Sequence, residues 1–172
     1  MSADELVDVV DAHDRVVTQA TRREVRARNL RHRAAYILVF NAQGQLFVHR
    51  RTENKDIFPG YWDVTVGGIL TAGEDYDAGA RRELAEELGL TGVSLRRLFP
   101  FRYEDSGSRV CGVVYSCTSD RGVTLQASEI ATGEWMDLDV VLDRTLKDPY
   151  CPDGLEVLRL YLAKLAAVRS RQ

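Results

Sequence analysis

The sequence lacks any apolar run that approaches the roughly 20 residues needed to cross a bilayer. Residues 1–5 are acidic and do not have the apolar stretch of a secretory signal. No internal repeat, low-complexity segment or clear linker interrupts the chain. We therefore expect a cytoplasmic protein without a membrane partner.

The chain also contains few cysteines and has no net positive charge. Cys111, Cys117 and Cys151 are the three cysteines, and their spacing does not match a metal site. An odd number of this kind favours free thiols in a reducing compartment. The net charge of −3 argues against a general nucleic-acid binder.

The chain does contain enough apolar material for one core. Its 172 residues are 45% hydrophobic and 28% charged, which is ordinary for a globular protein, so we expect a single domain over residues 1–172. The predicted elements are a hairpin and a basic helix within 1–33, strands at 35–40, 46–50, 62–66, 93–101, 110–118 and 134–136, a short helix at 137–146 and a helix at about 153–168. This order predicts an α+β fold in which helices flank a central mixed sheet.

Residues 68–90 carry the densest chemistry. Glu83, Glu86 and Glu87 lie close together on a predicted helix that follows a glycine loop. At roughly 100° per residue, Glu83 and Glu87 lie almost above one another, and Glu86 falls within about 100° of both. Like charges this close destabilise a bare helix, whereas Mg²⁺ neutralises them through oxygen ligands. The cluster therefore predicts metal-assisted chemistry on a phosphorylated compound.

The rest of this helix follows an amphipathic pattern. Ala80, Leu84 and Leu88 recur at intervals of one turn and should face the core. Gly89 is placed to end the helix, and Asp75 or Asp77 is available at its start. We expect the acidic face to point to solvent or to a metal ion.

Residues 68–90 resemble the Nudix box, G-x5-E-x7-R-E-U-x-E-E-x-G-U, where U is a bulky aliphatic residue. Every fixed position of the pattern is matched, by Gly68, Glu74, Arg82, Glu83, Leu84, Glu86, Glu87, Gly89 and Leu90. The resemblance implies an α/β/α sandwich with a central mixed sheet. It also implies hydrolysis of a diphosphate linked to another group, often a nucleoside.

The resemblance further implies a role for each box residue. Glu83, Glu86, Glu87 and the Gly68 carbonyl are expected to hold Mg²⁺, for which Mn²⁺ can substitute. Arg82 is expected to orient the catalytic carboxylates, and Glu74 to tie the loop to the helix. The resemblance leaves a homodimer possible.

The general base is expected outside the box. Glu129 is the first candidate, because it precedes Trp135 in a segment that resembles the family's loop. Glu134 and Glu104 are the alternatives, and sequence alone does not place any of them within the reach of about 3 Å that a base requires.

Basic residues that precede the box are candidates for binding substrate phosphate. Arg50, Arg51 and Lys55 form a predicted basic rim, and Arg33 ends the basic N-terminal segment. Thr21 and Glu24 predict a capping box for a helix over 22–29. Its arginines form either a solvated face or further phosphate contacts.

A second resemblance, to isopentenyl diphosphate isomerase, covers about the first 65 residues. It is carried by residues 8–16, 30–34, 40–44 and 50–55. The isomerase needs a cysteine in the strand that enters the box, a histidine close behind it and later acids, whereas residues 64–68 contain neither and Gly107 and Arg109 replace the acids. His32 matches one isomerase metal histidine, but Val25 occupies the position of another, so a structural role for His32 is favoured.

Three functions are thus compatible with the sequence. A metal-dependent diphosphatase acting on a small molecule is favoured by the complete box. An isomerase is disfavoured by the missing residues. A non-catalytic nucleotide-sensing module would be favoured by loss of box carboxylates, and all of them are present.

Overall fold

The computed structural model describes residues 3–170, with the side chain of Arg169 excepted. Within this range the elements are β1 (Leu6–Val10), β2 (Val16–Thr21), α1 (Arg22–Ala27), β3 (His32–Phe40), β4 (Leu46–Arg51), β5 (Trp62–Asp63), α2 (Tyr76–Leu88), β6 (Arg96–Glu104), β7 (Arg109–Thr118), β8 (Ile130–Met136), α3 (Leu138–Thr145) and α4 (Pro152–Arg169).

The sheet is mixed, and β3 lies at its centre. β3 runs parallel to β7 from His32↔Val110 to Phe40↔Thr118, whereas its contacts with β1 and β4 are antiparallel. β4 in turn pairs with β5 and β8, and β7 pairs with β6. This confirms the predicted mixed sheet.

Alternate residues of β3 enter two separate cores. Ala35, Ile37 and Val39 pack towards α2, whereas Ala34, Tyr36 and Leu38 pack towards α3 and α4. A strand that is covered on both faces needs apolar residues at successive positions, which explains the continuous apolar run. The α+β sandwich predicted from the sequence is confirmed.

The ends of α2 follow from local chemistry. The Asp75 side chain accepts a hydrogen bond from the Ala78 backbone N–H, and Gly89 adopts a left-handed conformation with φ of 67°. Ala80, Leu84 and Leu88 are buried, as the apolar pattern predicted. Glu83 and Glu87 are buried as well, so only part of the acidic side, which we expected to face solvent or a metal ion, is exposed to solvent.

Several predicted boundaries need correction. α1 ends at Ala27 rather than at residue 29, and α4 begins at Pro152, since proline is well suited to a first helical turn. The strand expected at 62–66 is regular only over Trp62–Asp63, and the following residues make isolated bridges to β3, including Ile37↔Val66. This departure from regular pairing brings the glycine loop next to α2.

The structure also describes the cysteines and the lengths of the helices. Cys111, Cys117 and Cys151 are buried free thiols. Across the described residues, the helices are all too short or too polar to pass through a lipid bilayer.

Candidate active site

A polar cavity of about 80 Å³ lies beside α2 and is lined by residues from distant parts of the chain. Its acidic lining residues include Glu83, Glu86 and Glu87 from α2 together with Glu129 from the segment before β8. Its basic members are Arg22 and Arg26 from α1, Arg51 from β4 and Lys55 from the loop after it. We call this space the central cavity.

Burial makes two of the box carboxylates hard to ionise. Glu83 and Glu87 are only 4% and 5% exposed. Burial raises the pKa of Glu83 to about 7. Burial and the nearby charge of Glu83 raise the pKa of Glu87 to about 8. A positive charge placed between these groups would favour their ionised forms.

Arg82 links the loop to the acidic cluster. Its Nε and Nη2 atoms donate to the two carboxylate oxygens of Glu74, both at 2.9 Å. Its Nη1 donates to Glu83 at 2.8 Å and to Glu86 at 3.2 Å. Glu87 forms no ion pair with any residue in the described range. Arg82 thus orients Glu83 and Glu86, and Glu87 depends most on another source of positive charge.

The glycine loop allows close approach of the backbone to these carboxylates. Gly67 has φ of 138°, and a Cβ there would lie 2.1 Å from the Ala35 carbonyl oxygen, so a side chain is excluded. The Gly67 N–H donates to Glu87 at 3.3 Å. A Cβ on Gly68 would come within 3.1 Å of the Glu83 carboxylate oxygens. The Gly68 carbonyl accepts from the Ala35 N–H and retains a second lone pair.

The donor set fits a hard divalent cation, although it is not prearranged as a closed site. Among the described residues, no three His, Cys, Asp or Glu side chains already converge as metal ligands. The groups that face the central cavity at α2 are nevertheless carboxylates, two of them buried and mutually repelling. Carboxylate oxygens of this kind are the preferred ligands of Mg²⁺ and Mn²⁺.

The basic residues predicted to bind substrate divide into two groups. Arg51 and Lys55 line the central cavity. Arg33 instead binds Asp14, with Nε 2.7 Å from Oδ1, and Arg50 donates to the Gly60 carbonyl and to Glu53. The structure therefore does not bring Arg33 and Arg50 to the cavity.

Of the three candidate general bases, one lines the central cavity and two do not. Glu129 lines the central cavity and forms an ion pair with Lys55. Glu134 is bound to Arg144 at 2.7 Å, and Glu104 to Arg31 at 2.9 Å, and neither lines the cavity. Burial raises the pKa of Glu129, but the hydrogen bond and the charge of Lys55, together with the charge of Arg22, outweigh burial and lower the pKa overall.

Comparison with known proteins agrees with the family resemblance of residues 68–90. The sequence profile of the NUDIX domain matches residues 30–160. The chain belongs to the Nudix family. It is 43% identical over 158 residues to the uncharacterised Nudix hydrolase PA4841 of Pseudomonas aeruginosa, covering 92% of this chain and 94% of the relative. It is 39% identical over 166 residues to the uncharacterised Nudix hydrolase YfcD of Escherichia coli, covering 96% and 91% of the two chains.

Solved structures show the same fold. The crystal structure of DR0079 from Deinococcus radiodurans has a TM-score of 0.80 and 32% identity, covering 90% of this chain and 98% of that one. The NUDIX domain of Shewanella oneidensis NrtR, solved with ADP ribose, has a TM-score of 0.61 over 77% of this chain and 87% of that one. At 19% identity this second likeness concerns the fold alone.

The Nudix site also contains residues that sequence reasoning missed. Tyr36, Asp63 and Asp153 line the central cavity, and the Tyr36 hydroxyl donates to Asp153 at 3.0 Å. Burial and the nearby Asp153 raise the pKa of Asp63 to about 6. These residues are far apart in sequence, and no spacing pattern links them.

His32 is buried in the same cavity wall. Its Nδ1 lies 3.0 Å from the Leu30 carbonyl oxygen, and burial lowers its pKa to about 4. A neutral histidine held by the backbone of its own segment agrees with the structural role favoured from the sequence. The resemblance to isopentenyl diphosphate isomerase receives no support from the comparisons.

Proposed function

We propose that this Nudix hydrolase cleaves the diphosphate linkage of a nucleoside diphosphate derivative or a related organic pyrophosphate, with Mg²⁺ as its cofactor. The observation that carries the proposal is the central cavity, in which box carboxylates and cationic side chains face the same space. Carboxylates suit a divalent cation, and arginine and lysine suit the phosphates that accompany it.

The box residues would hold the cation. Glu83, Glu86, Glu87 and the Gly68 carbonyl are the proposed ligands, and Mn²⁺ is expected to substitute. When bound, a divalent cation screens phosphate charge and lowers the pKa of a coordinated water. Arg82 keeps Glu83 and Glu86 oriented through its hydrogen bonds to both.

The remaining steps belong to residues outside the box. Arg51 and Lys55 bind the phosphate oxygens. Glu129 accepts a proton from the attacking water, for which its lowered pKa keeps it ionised at neutral pH. A bond forms from the water oxygen to phosphorus, and the bond from phosphorus to the bridging oxygen breaks.

A substrate panel tests the activity. The protein is incubated with Mg²⁺ and nucleoside diphosphate derivatives or isopentenyl diphosphate, and phosphate is measured after a coupled phosphatase. Phosphate release supports the proposal. Formation of an allylic isomer from isopentenyl diphosphate would contradict the proposal and indicate an isomerase. A ligand-induced shift of the melting temperature without turnover would contradict it and indicate a nucleotide sensor.

The role of Glu129 is tested by comparison with an acid outside the cavity. We expect Glu129→Gln to lower kcat by about 10²–10⁴-fold, the usual contribution of a general base, because Gln cannot accept the proton. Glu104→Gln is the matched control and should leave kcat unchanged, since Glu104 lies away from the cavity and pairs with Arg31. Equal losses in the two variants, or none in Glu129→Gln, would contradict the assignment.

A further inference from the structure

Three arginines of the central cavity have donor groups that no described residue uses. The Nε–H groups of Arg22, Arg26 and Arg51 are shielded from solvent and donate no hydrogen bond within the described part of the chain. Buried polar donors of this kind normally have partners, because each unmade hydrogen bond costs free energy. Three such donors around one cavity suit an anionic ligand.

The charges around these arginines are also poorly compensated. Arg22, Arg26 and Arg51 have no described carboxylate within ion-pair distance, whereas Lys55 is already paired with Glu129. Burial and the charge of Arg22 lower the pKa of Arg26, and Arg51 adds to this effect. An anionic ligand would relieve the repulsion among the three side chains.

Local structure explains why two of them face the cavity. Arg22 and Arg26 are four residues apart on α1 and therefore share one side of the helix. The buried Val25 and the capping box of Thr21 with Glu24 hold this helix against the hairpin. Arg23, the next residue after Arg22, does not line the cavity; it is exposed and pairs with Asp4. α1 lies before residue 30, where the match to the NUDIX domain begins.

We propose that Arg22, Arg26 and Arg51 form a clamp for the terminal phosphate of the substrate, so that the enzyme prefers diphosphates that carry an organic group at one end only. This inference rests on the proposed function, whose substrate class it narrows. A terminal phosphate offers up to two charges and three free oxygens, which is more than an internal phosphate offers to three guanidinium groups.

The size of the cavity is compatible with a substrate that ends in a phosphate. About 80 Å³ provides room for a handful of water-sized groups and thus for a phosphate group. Hydrolysis of such a substrate forms a bond from water oxygen to phosphorus and breaks the bond to the bridging oxygen. The products are an organic monophosphate and inorganic phosphate.

Anion binding without metal tests the clamp independently of turnover. Inorganic pyrophosphate is titrated calorimetrically into the protein in EDTA. We expect Arg26→Gln to weaken binding by about tenfold or more, as for loss of a charge-assisted hydrogen bond. Arg23→Gln, a change of the same charge on the same helix, should change it by less than about twofold. Unaltered binding in Arg26→Gln, or equal weakening in both variants, would overturn the clamp.

Substrate choice tests the preference for a terminal phosphate. With Mg²⁺, ADP should show a kcat/KM at least about tenfold above that of ADP-ribose and release inorganic phosphate directly, and Arg26→Gln should reduce this ratio. Equal or reversed values would overturn the preference.

The two experiments together distinguish failure of the proposed function from failure of the clamp. If neither compound nor any other diphosphate is hydrolysed but Arg26→Gln still weakens pyrophosphate binding, the proposed function fails and the clamp remains. If ADP is hydrolysed but Arg26→Gln binds pyrophosphate normally, the clamp alone fails.

Discussion

At the scale of single residues, the site depends on carboxylates kept in unfavourable surroundings. Glu74 and Glu83 are held by Arg82, whereas Glu87 is buried and receives a weaker hydrogen bond from the Gly67 backbone. Its pKa of about 8 reflects burial first and then repulsion by Glu83. Such strain is typical of a group that serves function rather than stability.

We therefore expect Glu87→Gln to separate activity from stability. The glutamate is deprotonated above pH 4.5 when unfolded but only near pH 8 when folded, so its ionisation destabilises the metal-free protein as pH rises through this window. Gln does not ionise, and at about pH 8 it should raise the free energy of unfolding in EDTA by a few kcal/mol, as an order of magnitude.

Urea denaturation in EDTA and turnover in Mg²⁺ measure the two effects. Turnover of Glu87→Gln should fall by orders of magnitude, because a proposed ligand oxygen loses its charge. A variant with near-normal turnover and unchanged stability would show that Glu87 is neither strained nor part of the site.

At the scale of elements, α2 joins the core to the site through its two sides. Leu84 and Leu88 face the core beside β3, and Glu83 and Glu87 face the central cavity one residue away. The sequence predicted this division well, because helical periodicity is local. It did not predict that the acidic side would be buried, because this depends on β3 and the glycine loop packing over it.

Substitutions on opposite sides of α2 should have different consequences for stability. Leu84→Ala is expected to lower the free energy of unfolding by about 2–5 kcal/mol, because it leaves a cavity at a position that is 2% exposed. Arg81→Ala, on the exposed side of the same helix, should change it by no more than about 0.5 kcal/mol. Thermal or urea melting measures both. Similar melting curves for the two variants would mean that the helix faces are misassigned.

At the scale of the whole molecule, buried titrating groups set opposing pH dependences. Glu83 and Glu87 have raised pKa values of about 7 and 8, and burial raises that of Asp63 to about 6. His32 and His49 are buried with pKa values lowered by burial to about 4 and 3. These groups come from separate elements, so only the assembled fold creates the shifts.

We expect the metal-free protein to be more stable near pH 6 than near pH 8. As pH rises, the unfolded acids are already ionised, while the folded ones still hold protons and must give them up at a cost. Below about pH 6.5 the histidines oppose this trend, because they take up protons in the unfolded chain but not in the folded one. Urea denaturation across this range in EDTA gives the profile.

A variant and a metal ion provide the controls. In the double variant Glu83→Gln/Glu87→Gln, the free energy of unfolding should decline less between pH 6 and 8. Mg²⁺ should stabilise the native enzyme more at pH 8 than at pH 6, because the carboxylates ionise at pH 8. A wild-type profile that is level or rises from pH 6 to 8 would contradict the assigned shifts.

The sequence by itself determined the Nudix box, the faces and ends of α2, the buried central strand and the family, because each depends on local spacing or on a fixed pattern. Only the tertiary structure decided which charges meet. It brought Glu129, Arg51 and Lys55 to the box and left Arg33, Arg50, Glu104 and Glu134 with other partners. It also placed Arg22 and Arg26 in the lining of the central cavity. The reason is physical: contacts between distant segments depend on how strands pair and helices pack, and no periodicity along the chain records them.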